Sequence, residues 1–181
     1  ETRNAIPLWM PSLSSLESLV GSLGVSSSDH VIIVAPGIGK YDAAETAAIY
    51  FTFKYLGHKK VSILNGGFKS WKEDWDNDTE AGFALPEKKI YKSTVNKDIL
   101  ANKDDVLEVI NKSGYLIDAR PSAMYMGINT SLPAVRSGTI PQAVNIPNEW
   151  MLVNGSLFFQ DKVNLEKIFE YLGIFSKDGQ I

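Results

Sequence analysis

Four short apolar runs, each followed by a turn and a stretch of helical periodicity, set the plan of the chain. They are Val31–Val34, Val61–Leu64, Tyr115–Asp118 and Ala143–Ile146. The continuous β-branched run at 31–34 and the short apolar runs elsewhere, set between helical stripes, predict short parallel strands at 31–34, 61–64, 115–118 and 143–146. Between them apolar residues recur at helical spacing. Leu13, Leu16, Val20 and Leu23 predict a helix begun by a Ser14/Glu17 capping box and closed by Gly24. Ala44, Ala47, Ala48, Phe51 and Tyr55 predict an alanine-rich stripe on a helix from Asp42 to Leu56. Shorter helices are expected over Ser70–Trp75, over Leu100–Lys112 with Val106, Leu107 and Ile110 inward, and from an Asn164 cap with Leu165, Ile168, Phe169 and Leu172 inward. Strands alternating with helices make an open α/β architecture, in which sites gather beyond the carboxyl ends of the strands.

The periodicity dips once. Asp74 to Pro86 is acidic and carries Gly82 and Pro86, so it reads as a linker, after which Ile90–Ser93 is expected to open a second unit as an edge strand. Leu152–Phe159 alternates around Asn154–Gly155 as a hairpin-like excursion. Leu23–Gly24–Val25 and Leu172–Gly173–Ile174 end two helices in the same way and suggest a weak internal repeat.

Composition narrows the function more than the fold. With 44% hydrophobic and 22% charged residues, the 181-residue chain falls in the ordinary globular class. A net charge of -3 and scattered lysines argue against a nucleic-acid partner. No apolar run approaches the roughly 18 residues of a membrane helix, so a soluble protein is expected, with its compartment, cytoplasm or periplasm, left open. There is no cysteine, which excludes disulfides, thiolate metal sites and a cysteine nucleophile within these residues.

Candidate chemistry lies in a few loops. Gly37–Ile38–Gly39–Lys40 lacks the spacing of a phosphate loop and of a dinucleotide fingerprint, and reads as a tight turn into a helix. Asp118 and Arg120 put opposite charges at a strand tip that Pro121 then stops. Arg120 there either pairs with Asp118 or contacts an anion. Arg136, two residues before Gly138, either forks onto an oxyanion or carboxylate or stays a solvated charge. His58 is expected to cap a helix end and His30 to open a strand; they have no companion ligands, so neither a metal site nor a cofactor is expected. Asp104 and Asp105 read as first-turn helix charges.

The order Asp118/Arg120, Tyr125/Gly127 and Gly138 to Asn145 resembles the rhodanese-like sulfurtransferases. It is most similar to the second module of their tandem two-module enzymes, which act on thiosulfate or 3-mercaptopyruvate. Gly57–His58, Val61, Gly66–Gly67–Phe68 and Trp71 resemble the run that closes the first module, and Ile6–Pro11 and Leu23–Val25 resemble what precedes it. The resemblance implies a rhodanese-like parallel sheet flanked by helices on both faces, in two incomplete modules. Residues 1–80 would be the C-terminal half of a first module, 81–87 a linker and 88–181 the N-terminal half of a second. The family's nucleophilic cysteine is expected on a loop after the strand due near Gly179–Ile181, so no catalytic residue is expected in this chain. Asp118, Arg120, Arg136 and Met124 would contribute to the substrate wall. Two positions depart from the pattern: Ile49 and Met124 stand where arginines are usual, and the second of those arginines holds the substrate anion. The implied partners are the remaining half-modules, possibly as a second chain, an anionic sulfur donor and a thiol acceptor. A non-catalytic rhodanese-like scaffold is the alternative. A phosphatase of similar architecture is less favoured, since it too needs a cysteine–arginine loop.

Overall fold

The computed structural model describes residues 10–39, 41–73, 76–82, 85–112, 114–130, 134–154 and 156–174. It divides into two compact units, Glu1–Leu100 and Ala101–Ile181.

The first unit runs α1 (Leu13–Ser22), β1 (Val31–Ile33), α2 (Asp42–Tyr55), β2 (Val61–Ile63) and α3 (Gly67–Glu73). The strands pair in parallel with Val31 beside Val61 and Ile33 beside Ile63, α2 supplying the crossover that a parallel pair needs. Leu16, Val20, Ile33, Phe53, Leu56 and Tyr91 form the core. Two expectations change here. The N-cap of α1 is Ser12, which accepts from the Ser15 N–H, and Glu17 is used elsewhere. On α2 the buried positions are Thr46 and Phe53, while Ala47 and Ala48 are exposed. Burying an aromatic ring removes far more apolar surface than burying two methyls, so the Phe53 face turns inward. β1 also behaves differently on its two faces, with Ile33 buried and Ile32 57% exposed.

The boundary lies further along than composition suggests. Residues 85–96 form no regular strand; they lie as a strap on the first unit. The Lys89 N–H donates to the Gly21 carbonyl, Thr94 N–H to Leu56 and Asn96 N–H to Tyr55. Glu17 accepts both the N–H and the hydroxyl of Ser93, at 2.9 and 2.6 Å. Lys89 pairs with Asp29 at 2.9 Å, and bonds from Ser26 and Lys89 bring the Asp29 carboxyl down to about 2. Tyr91 is 4% exposed, and its hydroxyl donates to His58 Nδ1 at 3.0 Å. His58 Nε2 in turn donates to the Asp29 carbonyl, because a carbonyl can only accept. His58 is therefore a buried bridge in the core rather than a helix-end cap.

The second unit holds α4 (Lys103–Asn111), β3 (Ile117–Asp118), α5 (Ser122–Tyr125), β4 (Val144–Asn145) and α6 (Lys162–Tyr171). β3 and β4 are again parallel, with Ile117 beside Val144 and Asp118 beside Asn145. Asn102 and Asp105 make a full capping box for α4, whose Leu107 is exposed while Val106 and Ile110 are half-buried. α6 is capped by Asp161, with Asn164 donating to it rather than capping. Leu165, Ile168, Phe169 and Leu172 turn inward, and Leu152 bridges Phe159 antiparallel. Trp75, Lys40, Gly155 and Gly179–Ile181 lie outside the described residues.

Gly57 tests the strap. It sits at φ +74°, and a Cβ there would meet the Thr94 carbonyl oxygen at 1.9 Å. Gly173, at φ +70°, has nothing within 4 Å of such a Cβ among the described residues. Gly57→Ala should cost at least about 2 kcal/mol and Gly173→Ala about 1 kcal/mol in urea unfolding. Equal losses would mean that strap contact adds nothing to backbone strain.

Candidate functional site

Both strand pairs end in a loop organised by a carboxylate. After β1, the N–H groups of Gly37, Ile38 and Gly39 all point at Asp42 Oδ2, each at 2.9 Å. These backbone donors, Gly39 foremost, hold the Asp42 carboxyl below its usual range. Such a concave run of N–H groups is an anion nest. Here the chain's own carboxylate fills it, consistent with a loop that lacks phosphate-binding spacing.

After β3 the arrangement is denser. The Asp118 side chain is 8% exposed, and four donors satisfy it. Oδ1 takes the Arg120 N–H at 3.0 Å and Nε at 2.9 Å; Oδ2 takes Arg120 Nη2 at 2.5 Å and the Thr139 hydroxyl at 2.6 Å. The Arg120 guanidinium is the main reason the carboxyl lies well below the usual range, against burial, which pushes it up. Nη2 also donates to the Gly138 carbonyl at 2.8 Å. Arg120 therefore joins the strand tip to the loop that precedes β4, with its Nε and Nη2 engaged within the chain.

The facing loops approach closely. Gly127 has φ +77°, and a Cβ on it would lie 3.2 Å from the Gly138 nitrogen. The Tyr125 hydroxyl donates to the Ala143 carbonyl at 3.0 Å, tying α5 to the start of β4. Met124 is half-buried on α5. Arg136 is exposed and has no ion-pair partner among the described residues. Met126, Ile128 and Val135, close in sequence to the two glycines, are exposed as well. Asp118 and Arg120 thus come together, with Arg136 two residues from the carbonyl that Arg120 holds. Thr139, Ser122 and Asn145 were not singled out as site residues by sequence. The available signal was an amide between the apolar Val144 and Ile146.

Arg120→Ala checks this description. It leaves a nearly buried carboxylate without its counter-charge, while Thr139 and the residue-120 N–H still donate. The guanidinium is 44% exposed, so solvent moderates the loss to about 1–2 kcal/mol at neutral pH. A carboxyl held below its unfolded value of about 3.9 stabilises the fold above that value, and the contribution fades as pH falls through the folded value. Without Arg120 the folded value rises, so acid unfolding followed by circular dichroism should begin at higher pH. An unchanged acid limb would show that the pair is energetically silent.

No protein-family model matches the chain. It is similar to thiosulfate sulfurtransferase of Bos taurus, 33% identical over 144 residues, which is 77% of this chain and 47% of the relative. It is also similar to a probable 3-mercaptopyruvate sulfurtransferase of Schizosaccharomyces pombe, 28% identical over 188 residues, or 99% of this chain and 61% of that protein. Among solved structures, the 3-mercaptopyruvate sulfotransferase SseA of Escherichia coli, described by its "Rhodanese" fold, matches with a TM-score of 0.80 and 26% identity, covering 96% of this chain and 62% of SseA. The chain spans about half the length of the curated mammalian relatives it matches. No described helix is long and apolar enough to cross a membrane. Two parallel strand pairs with loops gathered at their tips, in a chain similar along most of its length to these enzymes, identify it as a member of the rhodanese-like sulfurtransferase family.

Proposed function

We propose that this chain forms part of a tandem rhodanese-like sulfurtransferase, contributing the C-terminal half of one module and the N-terminal half of the next. In the complete enzyme a cysteine thiolate outside these 181 residues attacks the transferable sulfur of an anionic donor, the outer sulfur of thiosulfate or the thiol sulfur of 3-mercaptopyruvate. The donor's bond to that sulfur breaks, its electron pair leaves with sulfite or the pyruvate enolate, and a cysteine persulfide remains. A thiol or cyanide then takes the outer sulfur and the thiolate is regenerated. The observation that carries the reading is the strand tip of β3. Arg120 is committed to Asp118 and Gly138, while Arg136 on the loop so held is exposed and unpaired among the described residues. Arg136 supplies the cation that Met124 does not, and the half-buried thioether of Met124 lines the wall. The half-exposed Ile32 face of β1 supports remaining half-modules as partners, since parallel sheets are ordinarily covered on both faces.

A second reading, a non-catalytic scaffold, has its own support in the first unit. There Asp42 already fills the N–H nest at the β1 tip.

Two measurements test the proposal. The 181-residue chain alone should produce no thiocyanate from thiosulfate and cyanide above a protein-free blank; product that scales with protein concentration would refute the missing nucleophile. In the complete protein, Arg136→Ala should lower kcat/KM for the anionic donor by one to two decades, the loss of about 1.5–3 kcal/mol of charge-assisted contact. Its melting temperature should hardly change. Full efficiency at low ionic strength would make Arg136 a solvated surface charge.

A further inference from the structure

We infer that Asn145 is the positioning residue of the β3 tip: it sets the turn that aims Arg120, and through Arg120 the loop that carries Arg136. The inference rests on the proposed role of that tip. Asn145 lies on β4 beside Asp118. Its Nδ2 donates to the carbonyls of Asp118 and Arg120, at 2.8 and 2.9 Å. Its Oδ1 accepts from the Ser122 hydroxyl at 2.7 Å. The orientation of the amide is unambiguous, because two carbonyls can face only the NH2 end.

One side chain thus grips the turn on both sides of Ala119 and the first residue of α5. Backbone pairing alone leaves this turn with less support. Beyond β3, the Asn148 N–H reaches the Ala119 carbonyl, and the Ile146 N–H shares the Asp118 carbonyl with Asn145. Among the described residues no backbone N–H reaches the Arg120 carbonyl; the Asn145 side chain does. With that carbonyl fixed, the guanidinium reaches both Asp118 and the Gly138 carbonyl at once. Leucine or aspartate at 145 keeps roughly the volume, so either tests hydrogen bonding more than packing.

Asp is the informative substitution. An ionised carboxylate at 145 faces two carbonyl oxygens and repels both; once protonated it donates to one of them. The titratable and charged groups against it are Asp118 and Arg120 on the turn; Ser122 on α5 and Thr139 on the facing loop are neutral. Asp118 is held well below the usual range by Arg120 and so stays ionised, while the two carbonyls and the Asp118 charge favour the protonated form at residue 145 and push its carboxyl above the ordinary value of about 4.

The test is carried out on the 181-residue chain by NMR, reading solvent exchange of the Arg120 Nε proton and the titration of the Asp118 carboxyl carbon. Asn145→Asp should speed Arg120 exchange about tenfold at pH 7, relative to wild type at the same pH, and recover most of it below about pH 4. Asn145→Leu should show the loss at every pH and raise the Asp118 midpoint. Ser122→Ala, which removes only the anchor on Oδ1, should give a smaller loss in the same direction and serves if Asn145→Leu fails to fold. Variants that lower the melting temperature while leaving Arg120 exchange and the Asp118 midpoint as in wild type would overturn the inference, as would Asn145→Asp behaving alike at pH 7 and pH 3.5. Neither readout involves a bound anion, so a silent Arg136→Ala bears on the proposed function and leaves this inference standing.

Discussion

An ionised carboxylate nearly shut off from water has to find a counter-charge and hydrogen-bond donors within a few ångströms. At the tip of β3, Asp118 finds them in the chain that follows it. That requirement decides much of the second unit's local shape. It draws Arg120 back over the strand end, brings Thr139 across from the facing loop, and leaves Arg120 Nη2 placed to take the Gly138 carbonyl. The first unit meets a related requirement differently. Asp42 meets no cation among the described residues and is satisfied by three backbone N–H groups, so its loop closes on itself rather than on a neighbour. One strand tip therefore ends in a bridge between loops and the other in a sealed turn.

The parts legible in the sequence are those governed by local chemistry. Short apolar runs identified all four strands, although the structure shortens them to two or three residues, since hydrogen-bonded pairing extends only where a neighbour is present. Leu–Gly helix ends were visible because glycine alone takes φ near +70° without strain. The Asp118–Arg120 pair could be read from two charges flanking one alanine. What sequence did not disclose was longer in range. Ser14 and Glu17 have capping-box spacing, yet Glu17 is claimed by Ser93, 76 residues away. Ala47 and Ala48 fit an inward stripe as well as Phe53 does, and only the partner surface chooses between them. Asn145 was not singled out because the carbonyls it bonds belong to another strand's end.

His58 illustrates the same limit from the other side. A histidine after a helix-ending glycine, followed by two lysines, has every local mark of a solvated cap. Its ring instead lies between Phe53 and Tyr91, edge-on to one and stacked on the other, with both nitrogens bonded. The decisive neighbour, Tyr91, arrives from a segment that the sequence assigns to the second unit.

That segment has a mechanical consequence. The covalent path from Ala101 back into the first unit meets the Asn96 and Thr94 amides on the end of α2 before it reaches Tyr91. Tension applied through the later chain would load these backbone bonds first, then the Ser93–Glu17 contact, and only then the buried ring. The strap thus works as a graded strain relief, in which small forces are absorbed at replaceable polar contacts while the core of the first unit stays shut.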